Sequence, residues 1–308
     1  MKVFVIINPH AKRNKKRPEL PAKLQKILGP SAEVRLSQTL DAVDHVAHEA
    51  LAANCEVLAI CGGDGTIHHT LSRFAKVYGS TPLPKLLTLG GGTMNMVCHS
   101  VQVLGPSEGI AHRFKQISAK PHLLQTVSRG TIEVEGRLSF IFGFGLVSNF
   151  LNAYYEGGDT GPIKAAMVVQ RGVRSVIERS EFARQLFSPW SGSVIVDGQL
   201  LPYQNYTAVI AQTIENLGIG FKPMYRAFEK PRHFHVIATQ MSPVKLINHL
   251  PDVFFGRPMH HPDTFDSTAQ EIVIRPAAGT LYTMDGDMYT SDQELRVGIG
   301  PDVQILKV

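Results

Sequence analysis

The sequence predicts an α/β chain in two domains: an N-terminal parallel-sheet domain, then a C-terminal antiparallel, β-sandwich-like domain. Three observations predict it. Short apolar runs alternate with helix-like stretches over residues 1–122, and a period-two texture takes over across residues 123–308. The 308 residues, 44% of them hydrophobic, also suffice to fill two cores. The last few residues are expected to dock back on the first domain.

Taken in order, KVFVII at the start reads as a buried strand, far too short for a leader segment or a membrane span. PELPAKLQKIL is a helix with proline near its start, and EVRLSQT is a second strand. DAVDHVAHEALA is an amphipathic helix with Asp41 near its N-cap. EVLAI, TIHHTLSRFAKV, PKLLTL and MNMVCHSV continue as strand, helix, strand and short helix, and PSEGIAHRFKQI closes the series. Strands this continuously apolar belong to a parallel sheet covered on both faces. In QTVSRGTIEVEGRLSFIFGFG the apolar residues alternate around a Gly-Arg turn, as in antiparallel pairs. A helical stretch, GPIKAAMVVQRGVRSVIERS, precedes the short strands of WSGSVIVDGQLL, YTAVIAQ, HFHVIAT, AQEIVIRP, TLYTMDGDMY and VQILKV. Asp197-Gly198 and Asp285-Gly286 are hairpin turn signals.

The formal charge of +5 suits an anionic ligand or membrane surface and equally suits plain solubility. Three cysteines, Cys55, Cys61 and Cys98, lack metal-ligand spacing and fit a reducing compartment, with Cys61 and Cys98 as small apolar fillers beside glycine turns. His68-His69 and His260-His261 also lack metal spacing and read as helix or loop residues in contact with water. No GxSxG is present to support a serine hydrolase.

The chemistry concentrates where strands end. After EVLAI comes Gly62-Gly63-Asp64-Gly65-Thr66; after PKLLTL comes Gly90-Gly91-Gly92, with Thr93 and Asn95 opening a helix; after the first strand comes Asn8-Pro9. Glycines at a strand's carboxyl end bare the backbone N–H groups, and the following helix adds its positive pole, so a phosphate can approach. In open α/β sheets ligands gather along that edge. Asp64 is placed to hold Mg2+ or to take a proton from an attacking hydroxyl, and Thr66 to cap the next helix. One such loop is most simply a capped turn; three on one edge point to a nucleotide. Neither a Walker loop nor GxGxxG follows the first strand.

Taken together, NPHA, CGGDGTIHHTL, LGGGTMNMVCHSV, MDGDMY and FFGRPMHHP resemble the diacylglycerol kinase catalytic-domain family, which includes bacterial lipid kinases and the sphingosine and ceramide kinases. The resemblance runs along the whole chain. It implies an ATP-dependent lipid kinase of phospholipid metabolism, a transferase whose acceptor is diacylglycerol-like or sphingoid- or ceramide-like. It also implies a nucleotide-binding first domain, a lipid-substrate second domain, and ATP with Mg2+ in a cleft between them. Carried across by motif, Asn8, Gly62, Gly63, Gly65, Thr66, Gly92, Thr93 and Asn95 line the nucleotide. Thr39 joins them with weaker specificity, and Asp287 stands in place of the family's glutamate. Asp64 and Asp285 are the catalytic carboxylates, Asp64 being also the candidate Mg2+ ligand; which of the two is the base is open.

The match frays in places. Met96 stands where many bacterial members carry aspartate. Glu133 is the nearest acid to another family aspartate, and GIGFKPMYRAFEKPRHFHV lacks the Asp-Asp-Gly of a structural metal site, so no divalent ion is expected on residues 218–235. NAD kinase, through GGDGT, and a nucleotide-binding regulator with impaired catalysis are the alternatives. FIFGFGLVSNFLNAYY is read as core before acyl-chain pocket. AKRNKKR, with Lys12, Arg13, Lys15, Lys16 and Arg17, is a solvated loop or an attraction to anionic headgroups. The expected setting is cytoplasmic, with transient contact at the inner membrane face and no nucleic acid partner.

Overall fold

Continuous β-branched and apolar sequence makes the central strands. β1 (Val3–Ile7) and β3 (Val57–Cys61) are buried at every position, as a strand covered on both faces must be. The computed structural model describes residues 1–158, 160–276, 280–291 and 294–308, and divides into two units. One holds residues 1–129, 136–138 and 302–308, the other residues 130–135 and 139–301.

In the first unit α1 (Leu20–Leu28) and β2 (Ala32–Leu36) follow β1, α2 (Leu40–Ala52) precedes β3, and α3 (Asp64–Tyr78) leads to β4 (Lys85–Thr88). α4 (Met96–Ser100) and α5 (Ser107–Ser118) complete the alternation. The strands run parallel in the order β4-β3-β1-β2, with Val5 opposite both Val34 and Ala59. The helices bury one stripe each: Leu20, Leu24 and Leu28 on α1; Val43, Val46, Ala47 and Ala50 on α2. Cys61 and Cys98 are buried fillers beside the glycine turns. Two expectations change here. α3 starts at Asp64 with Gly63 as its N-cap, so Thr66 lies inside the helix rather than capping it; Gly62 has no Cβ, and one there would stand 2.4 Å from Thr66 Cβ. His68 is fully buried, and its Nδ1 lies 2.7 Å from the Leu138 carbonyl, because Leu138 returns to this unit on a hairpin and excludes water.

That hairpin is β5 (Gln125–Val134) and β6 (Arg137–Ser139), turning at Glu135-Gly136 rather than at Gly-Arg. β7 (Ile141–Gly145), α6 (Leu146–Tyr155), α7 (Pro162–Ile177) and α8 (Glu181–Leu186) come next, then β8 (Trp190–Val196), β9 (Gln199–Leu200), β10 (Asn205–Tyr206), β11 (Ala208–Gln212) and β12 (Phe234–Thr239). α9 (Pro243–Asn248), α10 (Leu250–Phe255), β13 (Thr264–Ala269), β14 (Glu271–Pro276), β15 (Thr280–Met284), β16 (Asp287–Ser291) and β17 (Leu295–Lys307) finish the chain. β17 passes through Gly298, Gly300 and Pro301 without a break, longer than the VQILKV read from sequence, and its end pairs parallel to β4 in the first unit, Ile305 opposite Leu86.

The second unit is antiparallel. A six-stranded sheet runs β13-β12-β11-β7-β15-β16, and β10-β8-β14 continue antiparallel onto the start of β17. Both sets contribute to one core, in which Trp190 meets Phe144 edge-on at 4.7 Å and stacks on Tyr206 at 4.8 Å. The aromatics of β7 thus serve as core: Phe142 and Phe144 are fully buried. Asp197-Gly198 (φ 46° and 80°) and Asp285-Gly286 (φ 48° and 95°) both adopt the left-handed turn conformation that the sheet twist favours in two-residue hairpins. No helix among the described residues is long and apolar enough to cross a membrane.

Candidate functional site

The three strand-end loops of the first unit are tied to one another. After β1, the Asn8 side-chain amide donates to Thr66 Oγ1 at 2.9 Å, while its Oδ1 accepts the His10 N–H at 2.8 Å. Asn14, buried within the basic run, donates from Nδ2 to the carbonyls of Asn8 at 2.9 Å and of Cys61 at 3.0 Å. The ends of β1 and β3 therefore share one amide. The basic run is consequently only partly solvated: the Arg13 N–H donates to Gly91 at 3.2 Å and Arg17 pairs with Glu108.

The loops after β3 and β4 meet through backbone alone. The Gly92 N–H lies 3.1 Å from the Gly62 carbonyl, and a Cβ added to Gly92 would stand 2.2 Å from Gly63 Cα. Gly90 and Gly91 have φ of 68° and 134°, values closed to most side chains. Asn95, left-handed at φ 50°, closes this turn on itself: Oδ1 accepts the Gly92 N–H and Nδ2 donates to the Gly92 carbonyl, both at 3.1 Å. Thr93 lies half-buried between them.

Asp64 opens α3, and its Oδ1 accepts the Val97 N–H of α4 at 3.2 Å. Burial pushes its carboxyl above the usual carboxylate range, against the opposing pull of the Met96 and Val97 N–H groups. A carboxylate held this way gains from a cation or a proton beside it. Thr39 stands apart in role: its Oγ1 accepts the Ala42 N–H at 3.2 Å and caps α2.

In the second unit Asp285 is an anchored turn residue. Its Oδ1 accepts the N–H groups of Ile141 at 2.9 Å and Phe140 at 3.1 Å, and Oδ2 shares the latter. Asp287 faces Met284 across the same turn, and Glu133 is exposed on β5. The stretch before β12 is held by side chains: the Tyr225 hydroxyl donates to Asp266 Oδ2 at 2.9 Å, and buried His235 lies 2.8 Å from Asp266 Oδ1.

Asn8, Gly62, Gly63, Asp64, Gly65, Thr66, Gly92 and Asn95 are thus gathered on adjoining loops of the first unit. Asn14 is the residue sequence reasoning missed; its partners lie 6 and 47 positions away, and a lone asparagine among lysines carries no signal of that. Three glycine- or asparagine-ended strands interlocked in this way are the features by which the first unit can be compared with known proteins. Residues 2–126 match the diacylglycerol kinase catalytic domain. That catalytic-domain match contains all three loops. Over the whole chain, the fold is similar to the crystal structure of a diacylglycerol kinase from Bacillus anthracis str. Sterne, with TM-score 0.64 and 15% identity, covering 99% of this chain and 96% of that one. Two further structures of diacylglycerol kinase-like proteins from the same organism align with TM-scores 0.69 and 0.70 at 16% and 17% identity, again over 99% of this chain and 96% of theirs. Among curated proteins none matches the chain.

Proposed function

We propose that the protein is an ATP-dependent lipid kinase that transfers the γ-phosphate to the hydroxyl of a diacylglycerol-like, sphingoid or ceramide-like lipid. The observation that carries this reading is the interlocked set of strand ends inside the catalytic-domain match: Asn8 on Thr66, and Gly63 against Gly92 with no side chain between. The first N–H groups of α3, which have no acceptor within the helix, suit a triphosphate, and a Cβ at Gly92 would collide with Gly63 and force the two loops apart. Gly62, Gly65, Thr93 and Asn95 shape the same turns, and Thr39 and Asp287 are proposed as further nucleotide contacts.

A carboxylate next to a triphosphate repels it unless a cation stands between them. Asp64, with its raised proton affinity, therefore fits as the residue that would hold Mg2+. When bound, Mg2+ supplies neutralisation of the phosphate charge. The lipid hydroxyl oxygen bonds to the γ-phosphorus as the bond to the bridging oxygen breaks, and that electron pair leaves with ADP. Asp285, fixed by two backbone N–H groups, takes the hydroxyl proton. The enzyme is proposed to be cytoplasmic and to meet its substrate at an anionic membrane face.

Incubation of the protein with [γ-32P]ATP, mixed lipids and NAD, followed by solvent extraction, tests this. Label in the organic phase is expected. Label in NADP would make the protein an NAD kinase, and ATP binding without transfer would make it a regulator; either outcome overturns the proposal.

A further inference from the structure

Three helices of the second unit leave large apolar side chains in water. α7 packs on α9, and α9 on α10. On α7, Ile163 and Met167 are 79% and 59% exposed; on α9, Val244 is 60% exposed; on α10, Phe254 and Phe255 are 42% and 63% exposed. Neither α9 nor α10 completely buries any residue, although PVKLIN and LPDVFF are largely apolar. A helix apolar around most of its circumference belongs inside something.

Charge indicates what that something is. The acids of this layer are paired within the protein: Asp252 with His249 at 2.8 Å, Asp263 with Lys245 at 2.8 Å, Glu178 with Arg174 at 2.6 Å. Lys164, Lys222 and Arg257 have no acidic partner among the described residues. Lys164 follows Ile163 in the first turn of α7, and the Arg257 guanidinium lies 5.3 Å from the Phe255 ring. Apolar tips interleaved with uncompensated cations on long stems match an interface of acyl chains under anionic headgroups, where stems bury and heads reach the phosphates.

We propose that the α7-α9-α10 layer is the surface by which the protein docks on an anionic lipid bilayer. The inference rests on the lipid-acceptor reading, which requires the protein to reach a membrane-held substrate, but it is tested apart from it. Wild-type protein is expected to co-sediment with phosphatidylcholine vesicles containing phosphatidylserine, and much less with phosphatidylcholine alone or in high salt. Ile163→Ser with Phe255→Ser is expected to weaken binding by roughly tenfold for each side chain withdrawn. Lys222→Glu with Arg257→Glu should weaken it several-fold and lessen its salt dependence. The melting temperature, and transfer to a short-chain lipid dispersed as monomers, should stay at wild-type values, since these side chains face water. Wild-type vesicle binding by both double variants overturns the proposal. So does a wild-type dimer that Ile163→Ser with Phe255→Ser converts to monomer, because the layer would then be covered by a second copy. Absence of transfer to the monomeric lipid defeats the kinase reading alone, whatever the vesicles show.

Discussion

The Asn8 side-chain amide donates to the Thr66 hydroxyl at 2.9 Å, joining the loop after β1 to the first turn of α3 across 58 positions of sequence. If this bond holds both loops in nucleotide-ready form, its two ends act as one. Asn8→Ala and Thr66→Ala are each expected to raise the KM for ATP about tenfold, and the double variant little further, a coupling of about 1 kcal/mol. A double-mutant cycle on KM measures it; additive effects would leave each residue acting separately.

Asp64 sets stability against function. Its folded-state pKa lies above the unfolded value, so its favourable contribution is complete below the unfolded pKa and is lost as pH rises through the folded one. In its ionised form the group is a burden, which asparagine removes while still accepting the Val97 N–H. Asp64→Asn should therefore melt at the same or a higher temperature, with a flatter pH dependence, while transfer falls by about a hundredfold or more. Thermal melts across pH, alongside the phosphoryl-transfer assay, check both halves.

Gly92→Ala places a methyl group 2.2 Å from Gly63 Cα, where only backbone is available to yield. A loss of about 1–3 kcal/mol of stability is expected, together with loss of nucleotide-induced stabilisation. Gly298→Ala is the control, because a Cβ there meets nothing within 4 Å. Urea unfolding with and without ATP distinguishes the two variants.

Asp285 combines two roles that different substitutions separate. Alanine leaves the Phe140 and Ile141 N–H groups without their acceptor and should cost about 2–4 kcal/mol. Asparagine keeps an acceptor oxygen and should preserve folding while transfer drops by about a hundredfold or more. Wild-type turnover by Asp285→Asn would reduce the residue to a turn anchor.

The features legible in the sequence were those encoded within a few residues. The glycine runs after β3 and β4, the paired Asp-Gly turns and the switch from continuous to alternating apolar residues each carry their meaning locally. Contacts made by distant segments were not legible. Asn14 reaches Cys61 across 47 positions, and His68 is buried because Leu138, 70 positions on, covers it. Local patterning also fell short: the last strand, read as VQILKV, starts already at Leu295 and runs through Gly298, Gly300 and Pro301, with the Pro301 carbonyl accepting the Thr131 hydroxyl at 2.8 Å. Thr66 reads as a cap because threonine favours caps, but the side-chain-free Gly62 leaves room for Thr66 inside the helix, whose cap is Gly63, three residues earlier.

The buried amide of Asn14 has an evolutionary corollary. Because one nitrogen serves the carbonyls of Asn8 and Cys61 together, the segment that follows the first strand cannot drift in length or path independently of the third strand's terminus. Insertions between residues 8 and 14 would be rejected even though most side chains there face solvent, and grafting that segment from a homologue would succeed only with an asparagine delivered to the same spot.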